Sequence, residues 1–385
     1  MLLIRLILKN AFRHRLRALL TILGVAVALT AFGLLRTVLD AWNSGVAASS
    51  ASRLVTRNAI SMTQSLPYAY KMRIRQVTGV ETVAAGSWFG GIYIDEKHFF
   101  ANLVVEAEDF FKLYPEIAAP PEQARAFIQD RKGALVGVQL AERFHWKLGD
   151  TITLRGTIYP GQWPMTIRAI YRAVRPGFDE TTLYFHWTYL DEALKKTMPQ
   201  RAGQVGFFMI GIDDPSRAAA ISKDIDALFI NSQAETLTET EKAFQLGFVA
   251  MSSAILLALE IVSYVVILII LAVAANTMAM AARERAGEFA VLKTLGFGGG
   301  TLSLMLLGES MILSMSGAIL GVAALTPITT LFARTLTQYF PVFDVSRETM
   351  LLGLGFGALV GVLAALVPAW RVRTLGIAAA FRRIG

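Results

Sequence analysis

Two features of the sequence place charge inside otherwise apolar chain. Glu309 stands alone in a long uncharged stretch, and the segment "RERAGEFAVLKTLGF" (283–297) separates two such stretches with Arg283, Glu284, Arg285, Glu288 and Lys293. A carboxylate at membrane depth faces a partner or a cavity and is a functional candidate; its plainer role is to pin a helix junction. The 283–297 segment exceeds a turn, which needs four or five polar residues: it has mixed charge, a helical pattern and a glycine stop at Gly296. Patterns for bond-making chemistry are missing. The four histidines, His14, His98, His145 and His186, have no ligand-like spacing, and the chain has no cysteine, which removes disulfides and thiolate metal sites. There is no H-E-x-x-H, no G-x-S-x-G and no G-x-x-x-x-G-K-[ST]. The run Gly298–Gly300 lacks the lysine and the preceding strand of a phosphate cradle. The chain reads as non-catalytic, with no metal and no cofactor of its own.

The elements that position these residues follow from composition. Hydrophobic residues make up 54% of the 385, too many for an ordinary soluble chain. Four stretches are long enough to cross about 30 Å of hydrocarbon, which takes roughly 20 helical residues. They are Ala18–Leu35, Ile261–Ala282, residues 302–332 and Thr349–Trp370. Glu309 then lies about 12 Å along the third helix from Thr301. With no basic residue near it in the spans, a structural glutamate is the favoured reading. The expected organisation is an interfacial helix (1–17), span one (18–40), a domain (41–245), a stalk with span two (246–282), a charged helix (283–297), span three (301–332), a loop (333–348), span four (349–370) and a tail (371–385). The apolar helical pattern of span two starts near Phe244 and meets no proline before Ala282, so one continuous helix is expected there. Pro327 should bend or end span three.

Orientation follows from lysine and arginine. They gather before span one (Arg5, Lys9, Arg13, Arg15, Arg17), in 283–297 and in the tail (Arg371, Arg373, Arg382, Arg383), whereas the loop between spans three and four has only Arg334 and Arg347. Basic flanks stay cytoplasmic, which puts both termini and 283–297 inside and the 41–245 domain outside. These segments hold more than the whole net charge of +8, so the basic balance reports topology and gives no support to a nucleic-acid partner. The first apolar run exceeds a signal-peptide core and reads as an uncleaved anchor. Residues 1–17 suit a helix lying at the interface, cations near lipid phosphates.

Gly317 and Gly321 in span three, and Gly353, Gly357 and Gly361 in span four, repeat every four residues and mark close helix–helix packing. The inserted domain reads as α+β. Strands are expected at 102–107, 151–156, 165–171 and 207–212, and helices at 137–146 and 215–230, with a turn at "KLGD" (147–150).

One span, a large inserted domain, three more spans and a charged helix between spans two and three: this plan resembles the MacB/FtsX-type permeases of bacterial ABC systems. "NTMAMAARERAGEFAVLKTLGF" (276–297), "GES" (308–310) and "PAWRVRTLGIAAAFR" (368–382) are similar to that family's membrane signatures, with Gly376 where a proline is usual. "VTGVETV" (77–83), "VVEAEDFFKLY" (104–114) and "GALVGVQLAERFHWKLGDTITLRG" (133–156) resemble the MacB-type core domain. The resemblance implies that 283–297 is a cytoplasmic coupling helix docking on a separate ABC ATPase, which holds ATP and Mg. Arg283, Glu284, Arg285, Glu288 and Lys293 would make charged contacts, Phe289, Leu292 and Leu295 would fill a groove, and Gly296 would end the helix. It also implies a permease homodimer with two ATPase copies in the bacterial plasma (inner) membrane. ATPase motion would be passed to the outer domain by mechanotransmission, for efflux or extraction of cargo. A periplasmic adaptor and an outer-membrane channel are further partners where the cell has an outer membrane. The alternatives are an FtsX-like regulator that switches an external enzyme, and an anchor or sensor without an ATPase.

Overall fold

The structure, a computed structural model, describes residues 2–44, 46, 49–175, 178–336 and 343–374, with backbone alone at 2–4 and 333–336. Arg382, Arg383 and Gly376 of the expected tail, and the Arg334 side chain, lie outside the described residues. The chain divides into two compact units, Trp42–Ser252 and the helices on either side of it.

The helical unit opens with α1 (Leu2–Ala11) and α2 (Arg15–Trp42). The inserted unit follows, with strands β1 (Arg53–Asn58), β2 (Leu66–Pro67), β3 (Val80–Trp88), β4 (Gly91–Ile92), β5 (Asn102–Val105), β6 (Ile117–Ala118), β7 (Gly133–Gly137), β8 (Thr151–Gly156), β9 (Gly161–Ala173), β10 (Leu183–His186), β11 (Gln204–Val205), β12 (Phe207–Ile212) and β13 (Thr236–Thr240). Its helices are α3 (Tyr70–Ile74), α4 (Ala107–Leu113), α5 (Pro121–Gln129), α6 (Val138–Phe144), α7 (Trp187–Thr197), α8 (Ala218–Ala227) and α9 (Glu241–Met251). Ten strands run in the order β13-β1-β12-β3-β5-β10-β7-β9-β8-β4, with β6 added beside β9. Only β5/β10 and β7/β9 pair in parallel within it. Side chains alternate along a strand, and the core divides accordingly. Val83, Val104, Ala134 and Ile210 join one buried cluster, while Ala84, Val105, Leu135 and Met209 join another. The middle of the sheet is therefore covered on both faces, and strands such as β7 and β12 read as apolar runs, whereas β8 and β9 near its end alternate buried and exposed side chains.

The expected strand at 102–107 stops at Val105, because Ala107 already begins α4. The "KLGD" turn holds Gly149 at φ +89°.

The helical unit resumes with α10 (Ser253–Glu284), α11 (Ala286–Thr294), α12 (Gly299–Leu336) and α13 (Arg347–Thr374). Of these, α2, α10, α12 and α13 are long and apolar enough to cross a membrane. Two expectations need correction and a third, that Pro327 bends or ends its span, loses its second half. The helix expected without a break from Phe244 to Ala282 is interrupted at Ser252 (φ −106°, ψ 11°), whose N–H turns back to the Val249 carbonyl. The charged segment is no single helix over 283–297, since α10 runs through Glu284 and Arg285 leaves helical geometry (φ −100°, ψ 12°) before α11 starts. Pro327 does not end span three: α12 runs through it to Leu336. The ring costs one backbone bond, and beside it the Thr329 hydroxyl donates to the Leu325 carbonyl at 2.8 Å.

The glycine repeats lie on packing seams. A Cβ on Gly317 or Gly321 would strike the α2 backbone at Ile22 and Ala26, and one on Gly357 or Gly361 would overlap Ala318 and Ser314 of α12. Gly353 faces Val322. In lipid, where apolar side chains gain little by leaving their solvent, such close approach is what holds helices together.

Candidate functional site

The site is α11 and the charged groups that fasten it. A helix of nine residues gains little from propensity and depends on its caps and its packing. Its C-terminus is closed by Gly296 at φ +92°. The Phe297 N–H reaches the Leu292 carbonyl at 3.0 Å and the Gly296 N–H reaches that of Lys293 at 3.1 Å, the paired bonds of a Schellman motif. Glycine is required here because other side chains meet steric resistance at that φ.

At the N-terminal end, Arg285 is buried and sends its guanidinium three ways. Nη1 donates to Glu309 Oε2 at 2.7 Å, Nε donates to Glu288 Oε2 at 3.2 Å, and the group lies 5.2 Å from the Phe289 ring centre. Glu309 therefore has a cation partner. It was invisible from the spans because it arrives from the break between α10 and α11. Both side chains of the pair are 9% exposed, so the charges are withdrawn from water together, as a buried pair must be. The plain reading of Glu309 as a junction pin gains a specific form: it holds the α10–α11 corner against α12.

Further contacts spread outward. Arg17 of α2 grips Glu284 through two hydrogen bonds of 2.7 and 2.8 Å. Arg13, in the turn between α1 and α2, donates to Glu288 at 2.5 Å. Lys293 donates to the Arg373 carbonyl of α13 at 3.1 Å. Burial works to raise the Glu288 pKa, but the hydrogen bonds from Arg13 and Arg285 outweigh it and hold the carboxyl below its ordinary value. Together, α11 and its corner are tied by polar contacts to α2, α12 and α13.

The apolar residues of the segment divide differently from expectation. Phe289, expected to fill a partner's groove, is 1% exposed and packs with Leu302, Met305, Ala369 and Val372 of its own unit. Leu292 is half-buried against the same cluster. The apolar side chains left open are Val291, Leu295 and Phe297, with Leu295 70% exposed. Exposed charge comes from Arg283, Glu284 and Glu288. Val291 and Phe297 were missed in the sequence because nine residues with apolar side chains on several faces do not show which face the chain itself covers.

His186 is the buried histidine of the inserted unit and is occupied by a backbone contact. Its Nε2 lies 2.6 Å from the Phe127 carbonyl, and burial pushes its pKa down. Among the described residues, no group of three or more His, Asp or Glu could hold a metal.

Comparison with known proteins agrees with this plan. The family model described as the MacB-like periplasmic core domain matches residues 18–228, and that of the FtsX-like permease C-terminal matches residues 260–377. No curated protein matches the chain. Among solved structures, it is similar to the extracellular domain of the noncanonic ABC-type transporter YknZ from Gram-positive bacteria, at 11% identity, over 49% of this chain and 100% of that one, with a TM-score of 0.35. It is also similar to a domain of a permease protein from Porphyromonas gingivalis, at 11% identity, over 49% and 90%, with a TM-score of 0.34. With the core-domain model spanning more than half of its length, the second model covering its last three membrane helices, and its own domain inserted between the first two, the chain belongs to the MacB/FtsX-like family of ABC transporter permeases.

Proposed function

We propose that this permease subunit works by mechanotransmission in an ATP-driven export or extraction system, with α11 as the coupling helix. The observation that carries the reading is the open apolar edge Val291, Leu295 and Phe297 on a short helix whose other side is locked into its own bundle. A side chain such as Leu295, left in water on a capped and fastened helix, gains by entering a partner's groove. The partner is a separate ABC ATPase carrying ATP and Mg, two copies acting on a permease homodimer. Both termini and α11 lie in the cytoplasm of a bacterial cell, and the inserted domain works on cargo outside. The stroke enters at α11 and travels along α2 and α10, the two helices that lead to the inserted domain.

The test is affinity capture of the detergent-solubilised protein from its native membrane, beside a Val291→Asp, Leu295→Asp variant. Wild type should bring down a nucleotide-hydrolysing subunit, and the variant should lose it at unchanged thermal stability. Retention by the variant places the docking face elsewhere. Capture of no ATPase by wild type in an intact complex removes the motor and with it this reading. An external hydrolase captured on the inserted domain would redirect the stroke from cargo to enzyme control.

A further inference from the structure

The N-terminal segment, α1 with the turn and first residue that follow it, carries more positive charge than its neighbours use. Arg13 is paired with Glu288, but Arg5, Lys9 and Arg15 are exposed and have no ion-pair partner among the described residues. Ile7 and Ala11, one turn apart, face inward: Ala11 is buried, and Ile7 lies against Gly308 of α12, where an added Cβ would meet its side chain at 3.0 Å. At 100° per residue Arg5 and Lys9 fall on the opposite face. Leu8, Phe12 and Leu16 are exposed beside these cations. Only residues 12–14 separate α1 from the membrane helix α2, so α1 is held within a few residues of the bilayer surface. Exposed cations, exposed apolar side chains and covalent continuity with a span together fit an anionic lipid surface.

We propose that α1 docks on anionic phospholipid headgroups, and that these compete with Glu288 for Arg13, so that lipid charge sets how firmly α11 is held. The Arg13–Glu288 pair suits such exchange. Its side chains are 53% and 43% exposed, and a pair so open to solvent is weak enough for a nearby phosphate to rival it. The Arg285–Glu309 pair behind it is buried and stays closed, so the exchange loosens one side of α11 without releasing the helix. The inference takes from the proposed function only that α11 is the helix the ATPase reads; the lipid response itself needs no ATPase.

The chain has no cysteine, so spin labels can be placed at will. With Leu20→Cys and Thr294→Cys, both exposed, the distance distribution between α2 and α11 is measured by pulsed electron resonance. The full chain is reconstituted in phosphatidylcholine vesicles, alone or with about one third phosphatidylglycerol. The anionic lipid should broaden the distribution by about twofold as a second arrangement is populated. Arg13→Gln and Glu288→Gln should each be broad in both lipids. The Arg5→Gln, Lys9→Gln, Arg15→Gln variant keeps the Arg13 pair and should stay narrow in both. A distribution indifferent to lipid in the parent overturns the proposal, as does a lipid response that survives in Arg13→Gln and Glu288→Gln. Because no ATPase is present, either result is independent of whether α11 couples to one.

Discussion

Two buried arginines organise the two units, and they do so differently. Arg53, at the start of β1, holds Glu116 and Glu241 at 2.9 Å each, donates to the Leu113 carbonyl and stands 4.3 Å from the Tyr114 ring centre. The three charged side chains are all under 10% exposed. Since Glu241 opens α9, the cluster joins the strand by which the chain comes in from span one to the helix by which it leaves for span two. Arg285 starts from the same degree of burial but hands its charge outward, from Glu309 at 9% to Glu288 at 43%, then to Arg13 at 53%. A closed cluster has no alternative partner within reach and acts as a clamp. A graded chain has a fixed inner end and an outer end that water, salt or lipid can contest. The clamp ties two connections of the chain together, and the graded chain holds a helix by one buried and one open contact.

The largest expected effect separates these behaviours. Arg53→Met leaves two buried carboxylates without their cation, and breaking such a cluster should cost about 4 kcal/mol or more. Thermal unfolding of the full chain, followed by fluorescence of the buried Trp163 and Trp187, reads this directly. A cost of about 1 kcal/mol or less would mean that the cluster relaxes like a surface pair, and the contrast would fail. Arg285→Met should come next, at about 3 kcal/mol, because it orphans Glu309 alone while Glu288 keeps Arg13. Hydrogen exchange at residues 286–294, compared between variant and parent, tests it. Exchange that rises no more than in a surface variant would place the anchor of α11 outside the Arg285–Glu309 pair. Arg17→Gln should leave the unfolding midpoint nearly where it is in the parent, since its partner Glu284 is 44% exposed and open pairs contribute little.

How much of this was legible in the sequence depends on how local each cause is. The four spans, the glycine seams and the Gly296 stop depend on runs and spacings within one or two helical turns, and they appear where the pattern puts them. Strand β8 likewise occupies the expected 151–156. The partner of Glu309 lies 24 residues away, on an element that breaks at Arg285. No periodicity announces that break: "RER" suits a helix interior, and the one helix-weakening residue nearby, Gly287, lies past the break, inside α11. A still greater separation hides the clamp, in which Arg53 and Glu241 lie 188 residues apart. Phe289 shows a third kind of blindness: an apolar residue on a short helix is equally suited to the chain's own core and to a partner, and only packing decides. The break at Ser252 had no proline to signal it. Charge pairing, and the division of apolar faces between self and partner, are properties of the fold.

The smallest effect concerns pH and tests the outer end of the graded chain. Glu288 has a folded pKa below its ordinary 4.5, with burial opposing the shift and the hydrogen bonds from Arg13 and Arg285 producing it. A carboxylate depressed on folding contributes stability that is fully present above its unfolded pKa and is lost as pH falls through the folded one. Acidification below about 4.5 should therefore loosen the Arg13 side of α11. Hydrogen exchange across 286–294, followed from about pH 6 to pH 3 and corrected for the intrinsic rate, should rise modestly in the parent. In Glu288→Gln the rise over the same range should be smaller, starting from the looser level, with what is left coming from the neighbouring Arg17–Glu284 pair. If the parent's rise were no larger than the variant's, Glu288 would not be held by its arginines, and the gradation from buried to open charge would end at Arg285.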